Sequence, residues 1–263
     1  AGKPHAALKH SPGEDRLGVR CEMREETVLN SEVLRHLDRL GSADVMVGIP
    51  SFRNAATIPY VVKAAAAGLS QYFPEMRSVL VNFEIAHRLR VKACVIVDSD
   101  LRSIGPEWIE LLAGPILKGG YDFVAPLYAR HKYDGTITNN IAYPLTRALY
   151  GRRIRQPIGG DFGLSDDLIA TLLDADLSPG SGASLWDEDV ARYGIDIWLT
   201  TLALTGGFAV AQARLGAKIH DPKDPAADLG PMFRQVVGTT FRLAEVHQHH
   251  WSRIVGSHPV PEY

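Results

Sequence analysis

The sequence predicts an α/β protein with a doubly wound, mostly parallel sheet and helices on both faces. The first observation is a series of short apolar segments that alternate with longer segments of helical periodicity. The second is that the early apolar segments have the length of buried strands and end in proline or polar residues. Strands and helices that alternate in this way favour a parallel sheet, whose ligands bind where its strands end.

The predicted elements follow one another along most of the chain. The predicted strands are residues 45–50, 78–82, 93–97, 121–127 and 208–213, and residues 218–220 either extend the last strand or form a short one. The predicted helices are residues 26–40, 57–70, 84–90, 106–117, 141–150, 166–173, 195–205 and 229–250. The last helix is amphipathic and is expected to form a C-terminal extension of the domain.

The chain has 263 residues, which suffices for one domain with a sizeable core. Residues 1–25 are rich in charge, glycine and proline and are expected to form a flexible arm. We assign residues 26–240 to the domain and residues 241–263 to the end of the last helix and a tail. The strand that ends at Asn82 meets the helix at Phe83 with almost no loop. We hypothesise that a loop is missing from the sequence between these two residues.

The composition excludes some classes of function. A net charge of -2 creates no general attraction to nucleic acid or to an anionic membrane. No segment approaches the roughly 18 apolar residues of a membrane span, and residues 1–25 lack the apolar core of a signal peptide. Cys94 lies in an apolar strand, far in sequence from Cys21, and is expected to be a buried thiol. We therefore expect a cytoplasmic protein.

Asp98-Ser99-Asp100 directly follows the apolar strand 93–97. Carboxylates at such a strand end lie where open α/β sheets bind ligands. Their oxygens suit a divalent ion that a diphosphate also coordinates, so the segment indicates a metal-assisted nucleotide site. The alternative is that both acids only stabilise the turn into the next helix.

Two further groups of residues suggest ligand contacts. His220 could provide one nitrogen to such a metal and Lys218 could contact a phosphate, although His220 could also be an ordinary surface histidine. Gly159-Gly160 permits a close backbone approach to a ligand, and Asp161 could accept hydrogen bonds from a sugar, although a plain tight turn would have the same sequence. Asp196 begins a helix, where an acid is favourable with or without a catalytic role.

Taken in order, these segments resemble the retaining GT-A glycosyltransferases typified by glucosyl-3-phosphoglycerate synthase. The resemblance extends from about residue 45 to residue 237, over most of the chain. The segments that carry it are VGIP at 47–50, VDSDL at 97–101, GPIL at 114–117, GTIT at 135–138, QPIGGD at 156–161, YGIDI at 193–197 and FRQVV at 233–237.

The resemblance implies a GT-A fold and a metal-dependent enzyme that moves a hexose from a nucleotide sugar to a small polar acceptor, with retention of configuration. UDP-glucose is the favoured donor, GDP-mannose is compatible, and glycerate or 3-phosphoglycerate would accept the sugar. The implied metal ligands to Mg²⁺ or Mn²⁺ are Asp100 and His220, and the implied catalytic residues are Asp161 and Asp196. The implied donor site comprises Pro50 and Ser51 near the base and Asp98 near the ribose, and the residue patterns described above add Ser99, Gly159, Gly160 and Lys218 to it. A homodimer is also implied.

The sequence departs from this family where the acceptor should bind. Thr136 stands where the family has an arginine that contacts the acceptor phosphate, whereas Thr138 matches the family's threonine. A threonine cannot replace a bidentate guanidinium, so the acceptor remains open between a phosphorylated and an unphosphorylated one. A polysaccharide or lipid-linked acceptor and a non-catalytic nucleotide-sugar-binding module are the alternatives. A nucleotidyltransferase would need a glycine-rich loop after strand 45–50, and none is present.

Overall fold

The structure is a computed structural model that describes residues 31–50, 54–80, 83–130, 134–175, 189–220 and 225–263. Its sheet has six strands in the described chain, in the spatial order β2-β1-β3-β5-β4-β6. The strands are β1 (Val45–Gly48), β2 (Ser78–Leu80), β3 (Ala93–Ile96), β4 (Phe123–Ala129), β5 (Phe162–Ser165) and β6 (Val210–Ala217). The pairs β1–β2, β1–β3 and β4–β6 are parallel, whereas β5 is antiparallel to both β3 and β4.

The helices connect these strands and follow the sequence prediction closely. They are α1 (Ser31–Leu40), α2 (Ile58–Tyr72), α3 (Phe83–Arg88), α4 (Glu107–Gly119), α5 (Tyr143–Tyr150), α6 (Asp166–Asp174), α7 (Ile195–Thr205), α8 (Pro225–Val246) and α9 (Gln248–Trp251). Short π-helical segments, Thr138–Ala142 and Val190–Gly194, lead into α5 and α7. Among the described residues, no helix is both long enough and apolar enough to cross a membrane.

The sheet separates two apolar layers. Val45 and Val47 of β1 pack in the layer that contains α2 and α4, while Met46 between them packs on the opposite face with α3, α6 and α7. This alternation follows from the strand geometry, which points successive side chains to opposite faces. Cys94 lies in the second layer as a buried free thiol, as predicted. The predicted α/β fold with helices on both faces is therefore confirmed.

Strand β5 was not predicted. Its sequence, Phe162-Gly163-Leu164-Ser165, is short and contains glycine and serine, both of which weaken a strand pattern. Gly163 is required by the packing, because a Cβ atom there would lie 2.3 Å from the carbonyl oxygen of Leu112 in α4. The hydroxyl of Ser165 accepts a hydrogen bond from the amide of Leu168 and thereby begins α6.

Two predicted features lie outside the described residues, whereas the predicted C-terminal tail lies within them. Residue 82 is outside the described residues, so the hypothesis of a missing loop before Phe83 stays a hypothesis. Residues 1–30, with the expected arm, also lie outside them. At the other end, residues 260–263 run beside β6, where the amide of Tyr263 donates to the carbonyl of Gln212 at 2.9 Å and the amide of Arg214 donates to the carbonyl of Tyr263 at 2.7 Å.

Replacement of Gly163 by alanine should lower the free energy of unfolding by about 1–3 kcal/mol, because the added methyl group collides with the backbone of α4. Urea denaturation followed by circular dichroism would measure it. Gly114→Ala is the matched control, since the nearest atom to its Cβ would be 3.9 Å away and alanine favours a helix. Equal stability of the two variants would contradict the close approach of α4 to β5.

Candidate active site

The carboxyl ends of the parallel strands meet at one edge of the sheet, and polar residues follow them there. Asp98 comes after β3, Tyr128 lies near the end of β4, and Lys218 comes directly after β6. Asp161 joins them because β5 is antiparallel, so that the residue before this strand lies at the same edge. The fold thus collects two acids, a phenol and an ammonium group from four strands.

Lys218 is the centre of this group. Its Nζ donates to Oδ2 of Asp98 at 2.6 Å, to the carbonyl oxygen of Gly159 at 2.7 Å and to Oδ2 of Asp161 at 2.8 Å. An ammonium group has three protons, so every one of them has an acceptor. The Lys218 side chain is only 3% exposed and that of Asp161 is fully buried, whereas Asp98 remains 42% exposed. Asp98 is therefore the member of this group that faces solvent.

Lys218 remains charged in this environment. Burial lowers the pKa of a lysine, but the neighbouring carboxylates of Asp161 and Asp98 outweigh this effect and raise the pKa of Lys218 above its usual value. A buried charge of this kind is tolerated only when it is paired and hydrogen-bonded. Removing one partner would leave an uncompensated charge, so the three groups depend on one another.

Asp161, at the start of β5, forms hydrogen bonds to residues at the ends of β3 and β4. Its Oδ1 accepts a hydrogen bond from the amide of Asp98 at 2.9 Å, and its Oδ2 accepts a short hydrogen bond from the hydroxyl of Tyr128. Burial raises the pKa of Tyr128 well above that of a free phenol, so the hydroxyl keeps its proton and acts as a donor. The predicted catalytic residue Asp161 thus lies in the site, in a position fixed from both sides.

The two predicted glycines lie against this network. Gly160 has a φ of +80°, and a Cβ atom there would lie 2.3 Å from Oδ2 of Asp98. At Gly159 a Cβ atom would lie 2.2 Å from Cγ of Pro126. Only glycine allows this approach of the backbone to Asp98 and β4, so the pair is more than an ordinary turn.

Asp196 completes the acidic side of the site. It lies in the first turn of α7 and its carboxylate accepts a hydrogen bond from the amide of Gly160. Burial raises the pKa of Asp196 to about 7, and the negative charges of Asp98 and Asp161 add to this effect against the opposing charge of Lys218. The pKa of Asp196 therefore lies near neutral pH, which is common for groups in functional sites.

Asp100 and His220 are brought together by the backbone. Leu101 forms an antiparallel bridge with His220, and the amide of Arg102 donates to the carbonyl of Ile219 at 2.8 Å. Ile219 in turn donates its amide to the hydroxyl of Ser103 at 2.9 Å. In the described part of the chain, no group of three or more His, Cys, Asp or Glu residues forms a complete metal site. A metal here would thus need oxygen ligands from elsewhere.

The remaining predicted donor residues lie near β1 and the turn after β3. The hydroxyl of Ser99 accepts a hydrogen bond from Nδ2 of Asn54 at 2.6 Å, and its carbonyl accepts one from the hydroxyl of Thr57 at 2.8 Å. These contacts fix the turn that carries the two acids. Pro50 is exposed after β1, whereas Ser51 lies outside the described residues.

The predicted acceptor residues belong to the segment before α5. Thr136 is exposed, and its carbonyl accepts a hydrogen bond from Nδ2 of Asn140 at 2.9 Å. Thr138 is buried at the start of the first π-helical segment. Their role toward an acceptor stays a prediction.

Several residues of the site were missed in the sequence. Tyr128 lies near the end of β4 and Arg130 directly follows this strand, at the same edge as Asp98, and this position alone is the signal that could have identified them. Asn54 and Thr57 could have been suspected because they follow β1 at that edge.

The sequence itself matches no family profile and no curated protein. The fold is similar to solved structures of glucosyl-3-phosphoglycerate synthase from Mycobacterium tuberculosis. One, with Mn²⁺, UDP and glucosyl-3-phosphoglycerate, is 22% identical with a TM-score of 0.55, and the match covers 84% of this chain and 86% of that one. A second, with Mg²⁺ and UDP, is 21% identical with a TM-score of 0.56 and coverages of 84% and 85%. The chain shares their GT-A fold.

The raised pKa of Asp196 predicts a pH-dependent effect of Asp196→Asn on stability. The folded-state pKa is about 7 and the ordinary value is 3.8, so ionisation of Asp196 costs the folded wild type stability as the pH rises between these values. Asparagine stays neutral. The stability of the variant relative to the wild type should therefore increase from pH 4 to pH 7, by at most about 4 kcal/mol, and then stay constant.

Urea denaturation of both proteins across this pH range would measure the difference. Asp174→Asn removes an exposed carboxylate from α6 and serves as the control. A difference between wild type and Asp196→Asn that stays constant from pH 4 to pH 7 would show that Asp196 has an ordinary pKa.

Proposed function

We propose that the protein is a metal-dependent retaining glycosyltransferase that moves a hexose from a nucleoside diphosphate sugar to a small polar acceptor. The observation that carries this proposal is the backbone bridge between Leu101, which directly follows Asp98-Ser99-Asp100, and His220 after β6, at the ligand-binding edge of a GT-A fold. Solved structures of that fold hold UDP together with Mn²⁺ or Mg²⁺. UDP-glucose is the proposed donor, because other structures of the same synthase contain UDP-glucose and phosphoglyceric acid.

The residues at the edge fit a divalent cation. Asp100 offers a carboxylate oxygen and His220 an imidazole nitrogen, a donor set that suits Mn²⁺ or Mg²⁺ when phosphate and water oxygens fill the other positions. We assign both residues to the metal. When bound, the metal ion would neutralise the negative charge on the departing diphosphate.

Asp98, Ser99 and the glycine pair support the donor from the protein side. Asp98 is the exposed acid of the Lys218 network, so we assign it to a ribose hydroxyl of the donor. We assign Pro50 and Ser51 to the nucleotide base. Lys218 neutralises the charges of Asp98 and Asp161 from the interior of the protein. The surface that a bound diphosphate would face is therefore less negative. Direct contact between Lys218 and a phosphate would require one of its three present bonds to break.

In the proposed reaction, the acceptor hydroxyl oxygen bonds to C1 of the hexose while the bond between C1 and the diphosphate oxygen breaks. Attack on the face from which the diphosphate leaves retains the anomeric configuration. The hydroxyl proton passes to the departing diphosphate, and no residue forms a covalent bond to the sugar. Asp196 is proposed to orient sugar hydroxyls, as donor or acceptor because its pKa is about 7. Asp161 is fully buried and both of its carboxylate oxygens are bonded, so we propose that it positions Asp98, Tyr128 and Lys218 for the reaction.

The first experiment measures UDP or GDP release from UDP- and GDP-sugars with Mg²⁺, Mn²⁺ or EDTA, and with glycerate, 3-phosphoglycerate or no acceptor. Wild type should release UDP from UDP-glucose only with metal, and faster with one acceptor. Asp100→Ala and His220→Ala should each reduce transfer by about a hundredfold or more, because each removes a ligand of the charge-stabilising ion.

His249→Ala is the matched control, because His249 lies on α9 and is exposed there. It should keep wild-type activity. Full transfer by Asp100→Ala or His220→Ala would overturn the metal assignment. Release that is insensitive to EDTA would overturn metal dependence as a whole.

We also propose that the protein forms a homodimer in the cytoplasm. Leu229, Phe233 and Phe241 of α8 are exposed, and their spacing of four or eight residues places them on one side of the helix. An exposed apolar stripe of this kind is typical of an interface between subunits.

The buried free thiol of Cys94 agrees with a reducing compartment.

Phe233→Asp and Phe241→Asp should convert the dimer into monomers, because each places a charge in the apolar interface. Multi-angle light scattering after size-exclusion chromatography would determine the mass. Leu173→Asp is the control, since Leu173 is an equally exposed apolar residue on α6. A monomeric wild type, or a dimer that both Phe variants leave intact, would contradict this interface.

A further inference from the structure

The segments YGIDI at 193–197 and FRQVV at 233–237 are far apart in the sequence but contact each other in the fold. The first leads into α7, and the second lies in the middle of α8. The amide of Tyr193 donates a hydrogen bond to Oε1 of Gln235 at 3.3 Å. The proposed function assigns a role to Asp196 of the first segment but none to any residue of the second.

The chain directly before α7 is not a regular helix. Within the π-helical segment Val190–Gly194, Arg192 has a φ of -118° and a ψ of -112°, which is outside the helical region. A helix supplies acceptors for its own amides only where its backbone dihedral angles are regular. The amide of Tyr193 directly follows this interruption, and the side chain of Gln235 offers it an acceptor from α8. The path by which the chain enters α7 therefore depends on α8.

One face of α8 makes three contacts with this segment. Gln235, Thr239 and Arg242 follow one another at spacings of four and three residues, which places them on the same side of the helix. Nη1 of Arg242 lies 3.5 Å from Oδ2 of Asp189, at the N-terminal end of the segment. At the other end, a Cβ atom at Gly194 would lie 2.4 Å from Oγ1 of Thr239. The segment is thus held along its whole length by α8.

These contacts determine where Asp196 lies. Gly194 directly precedes α7, and Asp196 is in the first turn of that helix, where its carboxylate accepts a hydrogen bond from the amide of Gly160. The charged groups that face this carboxylate are Asp98, Asp161 and Lys218. A displacement of about 1 Å in an active site can lower a reaction rate about a hundredfold. A shift of the chain before α7 would therefore act directly on Asp196.

We propose that Gln235 is a positioning residue for Asp196, which acts through the amide of Tyr193 and fixes the entry of the chain into α7. The proposal rests on the proposed glycosyl transfer, in which Asp196 orients sugar hydroxyls. Gln235 itself touches neither the sugar nor the acceptor. Its side-chain oxygen is the essential atom, because a backbone amide that is partly shielded from water needs an acceptor.

The first test is Gln235→Leu, which removes the acceptor oxygen and keeps a similar side-chain volume. With UDP-glucose, Mg²⁺ and whichever of glycerate and 3-phosphoglycerate wild type uses, kcat should fall about tenfold or more, because Asp196 leaves its position. The Kd for UDP should change less than about twofold, since UDP lacks the hexose that Asp196 orients. Gln235→Glu keeps an acceptor oxygen and should recover most of the lost kcat.

A second measurement needs no turnover. If Gln235→Leu moves Asp196 away from the amide of Gly160, the ionised carboxylate loses a hydrogen bond and the pKa of Asp196 rises. In wild type, the stability gained through Asp196→Asn should increase up to about pH 7 and then stay constant. In the Gln235→Leu protein it should continue to increase above pH 7, because ionisation stays unfavourable until the pH exceeds the raised pKa. Urea denaturation of the four proteins would measure this difference.

Gln248→Leu is the matched control, because it makes the same substitution at an exposed glutamine of α9. It should keep the wild-type kcat. For Gln235→Leu, an unchanged kcat or an unchanged pH dependence would overturn the positioning role. So would a loss of UDP binding in parallel with kcat, or a Gln235→Glu variant as impaired as Gln235→Leu. A wild type that never releases UDP contradicts the proposed function alone, and the stability measurement then decides whether Gln235 positions Asp196.

Discussion

At the edge of the sheet, the ammonium group of Lys218 lies between Asp98, Asp161 and the carbonyl of Gly159, and it is almost completely removed from water. These partners belong to the turn after β3, the residue before β5 and the glycine loop, while Lys218 itself follows β6. Loss or displacement of a partner would leave a buried charge uncompensated, which strongly destabilises the folded protein. The conformations of all these segments are therefore coupled through one side chain, and the rest of the site is built around this coupling.

The two acids of Asp98-Ser99-Asp100 are positioned by different contacts. Asp98 is engaged with Lys218 through a carboxylate oxygen, and its amide is bound to Asp161. Asp100, two residues later, is instead placed by the backbone bridge between Leu101 and His220. The first acid is therefore bonded within the scaffold, whereas the second is the one that we propose as a metal ligand. Asp196 differs from both, because its carboxyl group is only partly compensated and its pKa is raised to about 7.

A structural property can be predicted from the sequence when it depends on residues that are neighbours in the chain. The apolar runs that became β1, β3 and β4 were identified because strand burial leaves a direct pattern, and the position of Asp98 at a strand end followed from it. Strand β5 was missed because its sequence contains Gly163, which is required by the close approach of α4. That approach exists only in the tertiary structure. The pKa of Asp196 likewise depends on neighbours that are distant in the chain, so no local pattern could reveal it.

The segment beside β6 has a consequence for how this protein meets other chains. In the described part of the chain, β6 is the last strand on its side of the sheet, and an open last strand presents amide and carbonyl groups that attract strands from other molecules. Here the backbone of Gln212 and Arg214 is already bonded to residues 261–263, and Tyr263 packs edge-on against Tyr121. The chain thus closes its own sheet on this side, which protects it against strand-to-strand aggregation.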